Sequence, residues 1–336
     1  MKPIVIIAAL VAGCTAYADG EQKFAPIGDL KLQSGAILKD CRVGFRTFGK
    51  MNAKHSNAVL VPTWFLGTTA DLANNFKPGG LVNSSKYYVI AVDALTNGVS
   101  TSPSNSENQP NGEFPVITIR DMVESQHQML LHLGIKHLKA VMGISMGGMQ
   151  AFQWITAYPG FMDKAIPIVG SPQPTSYDLM FYGGGLKAVK AAISNKAASD
   201  DLIRAYADFF WLALNTPSYY VEHTKRTEAV ASLAGFEGAL LKWNLFDMAS
   251  GLSALSTQDI YKSFGGSESR AAAVIRARVF VIVSAQDHCV NPAPALHFAN
   301  VLGAKKLILT GNQGHSAPGA EMKKVGPAIE RFLSKD

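Results

Sequence analysis

The segment Leu138–Gln150, with the sequence LKAVMGISMGGMQ, contains the pattern that decides the fold. Its first five residues are a short apolar run that predicts a buried strand, and a helix-spaced pattern follows from Gly147. Between them the sequence G-x-S-x-G places Ser145 on a tight turn from strand to helix. Glycines at 143 and 147 have no Cβ, so the two elements can approach closely and the serine hydroxyl projects above the sheet. The segment therefore predicts a nucleophilic Ser145.

The rest of the chain alternates short apolar runs with helical patterns. Beyond the central segment, the predicted strands are Ala36–Phe48, Ala58–Val61, Tyr87–Val92, Ala165–Val169, Val279–Val283 and Lys306–Leu309. The predicted helices are Thr118–Leu133, Gly147–Tyr158, Pro292–Val301 and Met322–Leu333. This alternation predicts an α/β fold with a mostly parallel, doubly wound sheet, although Pro167 weakens one strand. Residues 96–112, rich in Ser, Asn, Pro and Gly, predict a long loop of the kind that is often functional.

About a hundred residues interrupt the alternation. The helices predicted there are Leu186–Ala197, Asp200–Leu214, Ser218–Val230 and Phe236–Met248. They could pack on the edge of the sheet, but we favour a helical lid over its carboxyl edge, where α/β enzymes bind ligands. The predicted organisation is a sheet core of residues 19–170 and 273–336 with a lid insertion at residues 171–272.

A serine hydroxyl needs a base to become a nucleophile, and the chain has eight histidines as candidates. His315 follows the last predicted strand, and Asp287 ends the strand before it. The order Ser145, Asp287, His315 is the one found in α/β-hydrolases, in which the carboxylate orients the imidazole and the imidazole moves the proton. The alternatives are a cap or turn role for Asp287 ahead of the helix at Pro292, an ordinary loop position for His315, and His288 as a rival base.

Two backbone N–H groups are expected to stabilise the oxyanion of the tetrahedral intermediate. One is that of Met146, directly after the nucleophile. The other should come from the loop Thr63–Gly67, which follows the strand Ala58–Val61. Neither a cofactor nor a metal ion is predicted. Three cysteines are too few for a Cys-rich zinc module, and His127, His132 and His137 recur at spacings of five, which places neighbours on different faces of a helix.

Four stretches resemble homoserine O-acetyltransferases and their relatives: Leu32–Gly49, Asn57–Val61 (NAVLV), Phe114–Val123 (FPVITIRDMV) and Gly143–Gln150 (GISMGGMQ). The resemblance runs from about residue 30 to 169 and resumes over residues 279–318. It implies the α/β-hydrolase fold and, by motif position, the triad roles of Ser145, Asp287 and His315. It also assigns the second oxyanion donor to Phe65.

Three departures from the pattern of that family concern substrate recognition. Thr63–Gly67 reads TWFLG where the family has His-Ala-Leu-Thr-Gly, and Val99–Pro103 reads VSTSP where it has Gly-Ser-Thr-Gly-Pro. Ser316 stands where the family has an acidic residue beside the catalytic histidine. The resemblance thus implies the catalytic groups but not the recognition of homoserine.

The first eighteen residues predict a secretory leader, with Lys2, an apolar run over Ile4–Ala12 and an Ala-x-Ala exit at Ala18. A loose lipobox ending at Cys14 would instead give a lipid anchor, and a buried N-terminal strand is a third interpretation. The apolar run is too short to span a bilayer. A periplasmic or secreted location follows, in which Cys41 and Cys289 could pair, although buried free thiols are favoured.

The composition of the chain excludes some classes of protein. Hydrophobic residues are 48% of the chain and charged residues 17%, which excludes a disordered protein. The formal charge of +6 is scattered rather than clustered, so no nucleic-acid partner is expected. An exported enzyme would meet little acetyl-CoA, so we expect a serine carboxylic-ester hydrolase with an acyl-serine intermediate and a small ester substrate. One alternative is an O-acyltransferase that uses acetyl-CoA and a small alcohol. Another is a non-catalytic binding protein with the same fold. The sequence does not decide the oligomeric state, and a homodimer formed through the lid is one possibility.

Overall fold

The computed structural model describes residues 20–335, so the predicted leader and Cys14 lie outside the described residues. The strands are β1 (Lys23–Lys31), β2 (Ile37–Phe48), β3 (Ala58–Pro62), β4 (Tyr88–Val92), β5 (Leu138–Ile144), β6 (Met162–Ile168), β7 (Arg278–Ser284) and β8 (Lys305–Leu309). They form one sheet in the order β1-β2-β4-β3-β5-β6-β7-β8. The strands from β4 through β3 to β8 pair in parallel, whereas β1, β2 and β4 pair antiparallel. The prediction of a mostly parallel α/β sheet is confirmed.

The helices are α1 (Thr69–Leu72), α2 (Ile119–His132), α3 (Met146–Ala157), α4 (Ser176–Ser194), α5 (Ser199–Leu214), α6 (Pro217–His223), α7 (Ala231–Leu240), α8 (Leu245–Ser256), α9 (Glu268–Val274), α10 (Pro292–Val301), α11 (Ala317–Ala320) and α12 (Met322–Ser334). Helices α2, α3 and α10 share one apolar core with the sheet, and α12 shares a second. The sheet is therefore covered on both faces.

The central strands alternate between these two cores. On β3, Leu60 packs in the core with α2 and α3, whereas Val59 and Val61 pack in the core with α12. All three side chains are fully buried. Successive residues of a strand point to opposite faces, so a strand buried on both faces is apolar throughout. This explains why short uninterrupted apolar runs predicted the strands.

Two strands differ from the sequence-based prediction. The prediction omitted β1, because Pro26 and Gly28 break its alternation; the register against β2 shifts at these residues. Pro167 weakened the prediction of β6, yet it lies within that strand. The pairing of β6 with β7 passes from Ala165 directly to Ile168, so the ladder is interrupted where the proline lacks a donor.

Helices α4 to α9 lie between β6 and β7, which are neighbours in the sheet. Helix α4 begins at Ser176, ten residues before the predicted start, because Thr175 and Asp178 form a capping box. Three consecutive glycines at 183–185 obscured this helix in the sequence. Helix α8 begins after Asn244, whose side chain accepts from two backbone N–H groups, and so divides the predicted helix Phe236–Met248.

No helix within residues 20–335 is both long and apolar enough to cross a membrane. Cys41 and Cys289 are buried free thiols. Cys41 lies on β2, and Cys289 lies in the loop between β7 and α10, among residues that also surround the site described next.

Candidate active site

Ser145 occupies the turn between β5 and α3 in a strained conformation. Its φ of 58° and ψ of −121° are unusual for a residue with a Cβ. The turn is held by the Ser145 N–H, which donates to the carbonyl of Ile168 on β6 at 2.9 Å. A Cβ on Gly143 would lie 2.4 Å from the Gly147 carbonyl carbon, and one on Gly147 would lie 2.5 Å from the Pro62 carbonyl oxygen. Any larger residue at position 143 or 147 would therefore clash with the neighbouring backbone.

Ser145, His315 and Asp287 form a continuous hydrogen-bonded set at the carboxyl edge of the sheet. The Nε2 atom of His315 lies 2.9 Å from Oγ of Ser145, and its Nδ1 lies 2.7 Å from Oδ2 of Asp287. A carboxylate only accepts, so Nδ1–H donates to Asp287 and Nε2 is left to accept from the serine hydroxyl. This is the tautomer that a general base requires.

Asp287 is fixed by its own backbone loop. Its Oδ1 accepts from the N–H groups of Cys289 at 2.8 Å and Val290 at 2.9 Å, while Oδ2 faces His315. The Asp287 side chain is only 1% exposed, and that of His315 is 11% exposed. Both carboxylate oxygens thus have defined partners, and the imidazole orientation follows from them. Of the cap and turn roles considered for Asp287, the turn role is present in the same residue, because its two backbone bonds close the turn before α10. The helix cap is Asn291, whose side chain accepts from the Ala293 N–H.

Of the two residues predicted to supply oxyanion donors, one follows Ser145 in the chain and the other lines the same cavity. Met146 is the first residue of α3, so its N–H has no partner within the helix and points out of the helix N-terminus. Phe65 lies in the loop after β3 and lines the same cavity as Ser145. Within the described residues, its N–H has no hydrogen-bond partner. Leu66 beside it has a φ of 59°, which turns the backbone sharply at this point.

A buried carboxylate anchors the far end of the Phe65 loop. Asp93 accepts from the Thr69 N–H at 2.8 Å and from the side-chain amide of Asn97 at 2.9 Å. The same Asn97 amide donates to the carbonyl of Gly67 at 3.0 Å. Desolvation raises the pKa of the Asp93 carboxyl, and the four hydrogen bonds it accepts oppose that shift. Asp93 and Asn97 were not predicted from the sequence. The available signal was a carboxylate directly after a buried strand, with an amide four residues further on.

The long loop of residues 96–112 forms hydrogen bonds both with the sheet and with the inserted helices. Asp247 at the start of α8 accepts from the N–H and the hydroxyl of Ser104. Desolvation raises the pKa of the Asp247 carboxyl. Ser100 accepts from the Gly44 N–H at 2.8 Å, so it has a structural partner on β2. This loop therefore connects the insertion to the antiparallel edge of the sheet.

A cavity of about 110 Å³ opens beside Ser145 and His315. The other lining residues are Trp64, Phe65, Ile144, Phe181, Tyr182, Tyr206, Phe210, Leu214, Leu252, Leu255, Cys289, Val290, Ser316, Pro318 and Gly319. Within the described residues, this lining contains no Asp, Glu, Lys or Arg. Burial raises the pKa values of Tyr182, Tyr206 and Cys289, which keeps these groups neutral. The cavity is therefore small and largely apolar, and His315 is the one acidic or basic side chain among its lining residues in the described part of the chain.

Comparison with protein-family models matches residues 71–319 to the model described as alpha/beta hydrolase fold. The chain belongs to this family. The order of Ser145, Asp287 and His315 and the turn between β5 and α3 agree with the pattern of the alpha/beta hydrolase fold.

Curated relatives of this hydrolase-fold protein include esterases and acyltransferases. A probable esterase of Corynebacterium glutamicum is 35% identical over 171 residues, which is 50% of this chain and 49% of the relative. The matched region thus spans about half the length of that esterase. A homoserine O-acetyltransferase of Geotalea uraniireducens is 28% identical over 352 aligned positions, covering 91% of this chain and 94% of the relative.

Among solved structures, the monoclinic structure of the acetyl esterase MekB superimposes with a TM-score of 0.87 at 24% identity. The superposition covers 94% of this chain and 97% of that chain. At this level of identity the likeness establishes the shared alpha/beta hydrolase fold.

One cluster of potential metal ligands within the described residues overlaps the hydrogen-bonded set of Ser145, His315 and Asp287. Its ligand atoms, from Asp287, Cys289 and His315, lie within 4.8 Å of one another. The two Asp287 oxygens already accept from N–H donors, and burial raises the pKa of the Cys289 thiol, which disfavours the thiolate that binds metals. The donor set therefore fits proton transfer better than metal binding.

His288 and the aromatic residues of α5 are further candidates for roles in the site. His288, the rival base, has no hydrogen bond to Ser145 or Asp287 within residues 20–335. Among three consecutive aromatic residues of α5, Phe210 lines the cavity, whereas Trp211 packs among the inserted helices and Phe209 is 72% exposed.

Proposed function

We propose that this protein is a serine carboxylic-ester hydrolase whose substrates are small, uncharged esters. The observation that carries the proposal is the hydrogen-bonded set of Ser145, His315 and Asp287 beside a cavity without charged lining residues. A serine paired with a neutral imidazole is a nucleophile for acyl groups. The esterases among the curated relatives support this chemistry.

Acylation uses all five predicted site residues. Oγ of Ser145 forms a bond with the ester carbonyl carbon while its proton moves to Nε2 of His315. The carbonyl oxygen becomes an oxyanion that accepts from the N–H groups of Phe65 and Met146. The carbon–oxygen bond to the alcohol then breaks, and the imidazolium, stabilised by Asp287, protonates the departing alkoxide. An acyl-serine remains.

Deacylation repeats these roles with water as the second nucleophile. Water loses a proton to His315 as its oxygen attacks the acyl carbon, and the second tetrahedral intermediate uses the same N–H donors. Collapse breaks the bond to Oγ of Ser145, which regains its proton from the imidazolium. The products are a carboxylic acid and the free enzyme.

The residues that line the cavity also indicate whether water or an amino acid accepts the acyl group from Ser145. An ammonium group such as that of homoserine needs a carboxylate partner when it is desolvated. Ser316 occupies the position next to the catalytic histidine, and its hydroxyl donates to the Leu214 carbonyl at 3.3 Å. With no acidic side chain in the lining, water or an uncharged alcohol fits this site better than an amino acid.

The test is a panel of p-nitrophenyl esters from acetate to octanoate, with Ser145→Ala as the control. We expect the highest kcat/KM for the short acyl groups, because the cavity is small, and no turnover above background for the variant. A p-nitrophenyl ester with a charged acyl group should react more slowly than an uncharged ester of equal length. Acyl release that requires an added alcohol would contradict the hydrolase assignment.

An acyltransferase acting on a small alcohol is the second candidate, since the alignment with the Geotalea homoserine O-acetyltransferase covers most of both chains. Acetyl-CoA consumption with and without homoserine distinguishes it from the hydrolase. Consumption that depends on homoserine would establish the transferase.

Export to the periplasm or the medium is also part of the proposal, on the basis of the residue pattern at positions 1–18. N-terminal sequencing of protein recovered from these fractions should begin at Asp19. A lipid-modified N-terminus at Cys14, abolished in Cys14→Ala, would establish the lipoprotein alternative.

A further inference from the structure

Gln150 connects the two backbone segments that carry the oxyanion donors. It lies on α3 with no exposed surface, and its side-chain Nε2 donates to the carbonyl of Thr63 at 3.0 Å and to that of Met146 at 3.2 Å. Thr63 begins the loop that contains Phe65, and Met146 follows the nucleophile. A single amide nitrogen therefore bonds to both sides of the predicted oxyanion hole.

The orientation of this amide is set by a chain of buried donors. The indole N–H of Trp154 donates to Oε1 of Gln126 at 2.8 Å, and Nε2 of Gln126 donates to Oε1 of Gln150. An indole N–H can only donate, so Gln126 must present its oxygen to Trp154 and its nitrogen to Gln150. It follows that Gln150 presents its nitrogen to the two carbonyls. Because all three side chains are fully buried, water does not compete for these bonds.

The Thr63 carbonyl depends on this contact. Within the described residues, Gln150 is the donor to the Thr63 oxygen. The Thr63 N–H donates to the Val92 carbonyl at 3.1 Å and its hydroxyl accepts from the Ala94 N–H at 3.0 Å, so the residue is held on the β4 side as well. Without Gln150 the peptide group between Thr63 and Trp64 loses its bond to α3, although the bonds to β4 remain.

We propose that Gln150 is a positioning residue that fixes the spacing between the N–H groups of Phe65 and Met146. This inference rests on the proposed function, since it concerns the oxyanion of the acyl-transfer steps. Oxyanion donors are effective only when they are held in place before the reaction, and losing one donor reduces the rate by about 10²–10³-fold. Displacing one donor, rather than removing it, should reduce kcat by about 10- to 100-fold.

The experiment compares Gln150→Met with Gln258→Met. Gln258 is a matched control, because it is also buried and its Nε2 donates to two backbone carbonyls, Met149 at 3.2 Å and Ser171 at 3.4 Å. Measurements are kcat and KM for p-nitrophenyl acetate, the melting temperature, and the affinity for a trifluoromethyl ketone. Such a ketone adds to Ser145 and places an oxyanion between the two N–H donors.

We expect Gln150→Met to lower kcat and the ketone affinity by similar factors of about 10- to 100-fold while KM changes less than about twofold. Gln258→Met should lower the melting temperature to a similar degree but leave kcat and ketone affinity within about threefold of the original protein. If the two variants show equal losses of kcat and ketone affinity, Gln150 has only a structural role and the proposal is wrong.

A second variant, Gln150→Leu, has a similar volume and suits a helix, but it offers no donor to the two carbonyls and no acceptor to Gln126. It tests the same proposal if the methionine variant does not fold, and a ketone affinity equal to that of the original protein would overturn it. Absence of ester turnover in the original protein would instead reject the proposed hydrolase function. The ketone measurement still reports on Gln150 in that case, because addition of the ketone to Ser145 needs no turnover.

Discussion

The Nε2 atom of His315 lies 2.9 Å from the Oγ atom of Ser145, although the two residues are 170 positions apart in the chain. Ser145 follows β5 and His315 follows β8, and parallel strands bring their carboxyl ends to one edge of the sheet. The contact therefore depends on the registers of three successive strand pairs, from β5 through β6 and β7 to β8. We therefore expect esterase activity to be lost when the pairing of these four strands is disturbed.

Ser145→Ala and Ser145→Gly separate the chemical role of this residue from its strain. Both should lower turnover by about 10⁴-fold or more, because the nucleophile is gone. A φ of 58° is strained for alanine as for serine but not for glycine. Strain of this kind costs about 1–3 kcal/mol, and the extra freedom of glycine in the unfolded chain offsets part of the gain. We expect urea unfolding to show the glycine variant about 1 kcal/mol more stable than the alanine variant.

Asp287→Asn should reduce kcat by about 10³–10⁴-fold, somewhat less than His315→Ala. The new amide can keep its oxygen on the N–H groups of Cys289 and Val290, which turns its nitrogen toward His315. The imidazole Nδ1 must then accept, so Nε2 carries the proton and cannot accept one from Ser145. Steady-state kinetics measure the loss. Retention of more than a tenth of the activity would show that Asp287 does not set the tautomer.

Turnover should fall as the pH is lowered, because protonated His315 cannot accept the proton of Ser145. The check is kcat/KM for p-nitrophenyl acetate between pH 5 and 9, with circular dichroism at each pH to show that the fold persists. A profile that stays flat at acid pH while the protein remains folded is incompatible with His315 as the base.

Substitution of two neighbouring glycines of α4, Gly184 and Gly185, tests whether Tyr206 shapes the cavity. A Cβ on Gly185 would lie 2.5 Å from the ring of Tyr206, which lines the cavity, whereas a Cβ on Gly184 would meet nothing within 4 Å. Gly184→Ala should stabilise the protein by about 0.5–1 kcal/mol through helix propensity. Gly185→Ala should destabilise it by about 1–3 kcal/mol and shift the acyl preference by displacing Tyr206. Urea unfolding and the ester panel distinguish the two variants.

The two buried thiols should be unreactive in the folded protein. Burial raises the pKa of the Cys41 thiol to about 12 and that of Cys289 well above its usual value. Because the thiolate is the reactive species, iodoacetamide at pH 8 should modify neither residue until urea is added. Mass spectrometry of peptides measures the modification. Rapid labelling of Cys289 in the native protein would mean that the cavity opens to solvent.

The same pKa shift predicts a loss of stability at alkaline pH. In the unfolded chain the Cys41 thiol has its ordinary pKa of 9.0, whereas burial in the folded chain raises this pKa to about 12. The folded state thus binds more protons in this interval, so the contribution of Cys41 to stability is full below pH 9 and falls by about 1.4 kcal/mol per pH unit between 9 and about 12. Urea unfolding at pH 8 and pH 10 should show this difference, reduced in Cys41→Ala.

Most of the sheet could be predicted because its central strands are buried on both faces. Such strands are continuous apolar runs, and the turn at Ser145 has a local requirement for glycine that is visible in sequence. The edge strand β1 has one solvated side and contains Pro26 and Gly28, so its composition does not distinguish it from a loop.

Some of the site residues could be predicted from the sequence, and others could not. Ser145 and its partners occupy motif positions and could be proposed from their order along the chain. Gln150 and Asn97 act through contacts with backbone carbonyls, and the value of such a contact depends on which loop the fold brings near it. A glutamine within an apolar helix was the signal in the sequence, but its partner could be found only from the structure.

The pairing of β6 with β7 has a consequence for how this protein can diverge. The chain leaves the sheet after Ile168 and returns at Arg278 on the adjacent strand, and the Val169 N–H donates to the Ile282 carbonyl at 2.8 Å at the point of exit. Everything between is one contiguous stretch whose two ends are neighbours. Recombination can therefore replace that stretch as a unit, giving a new pocket wall while the strand registers that align Ser145 with His315 are inherited unchanged.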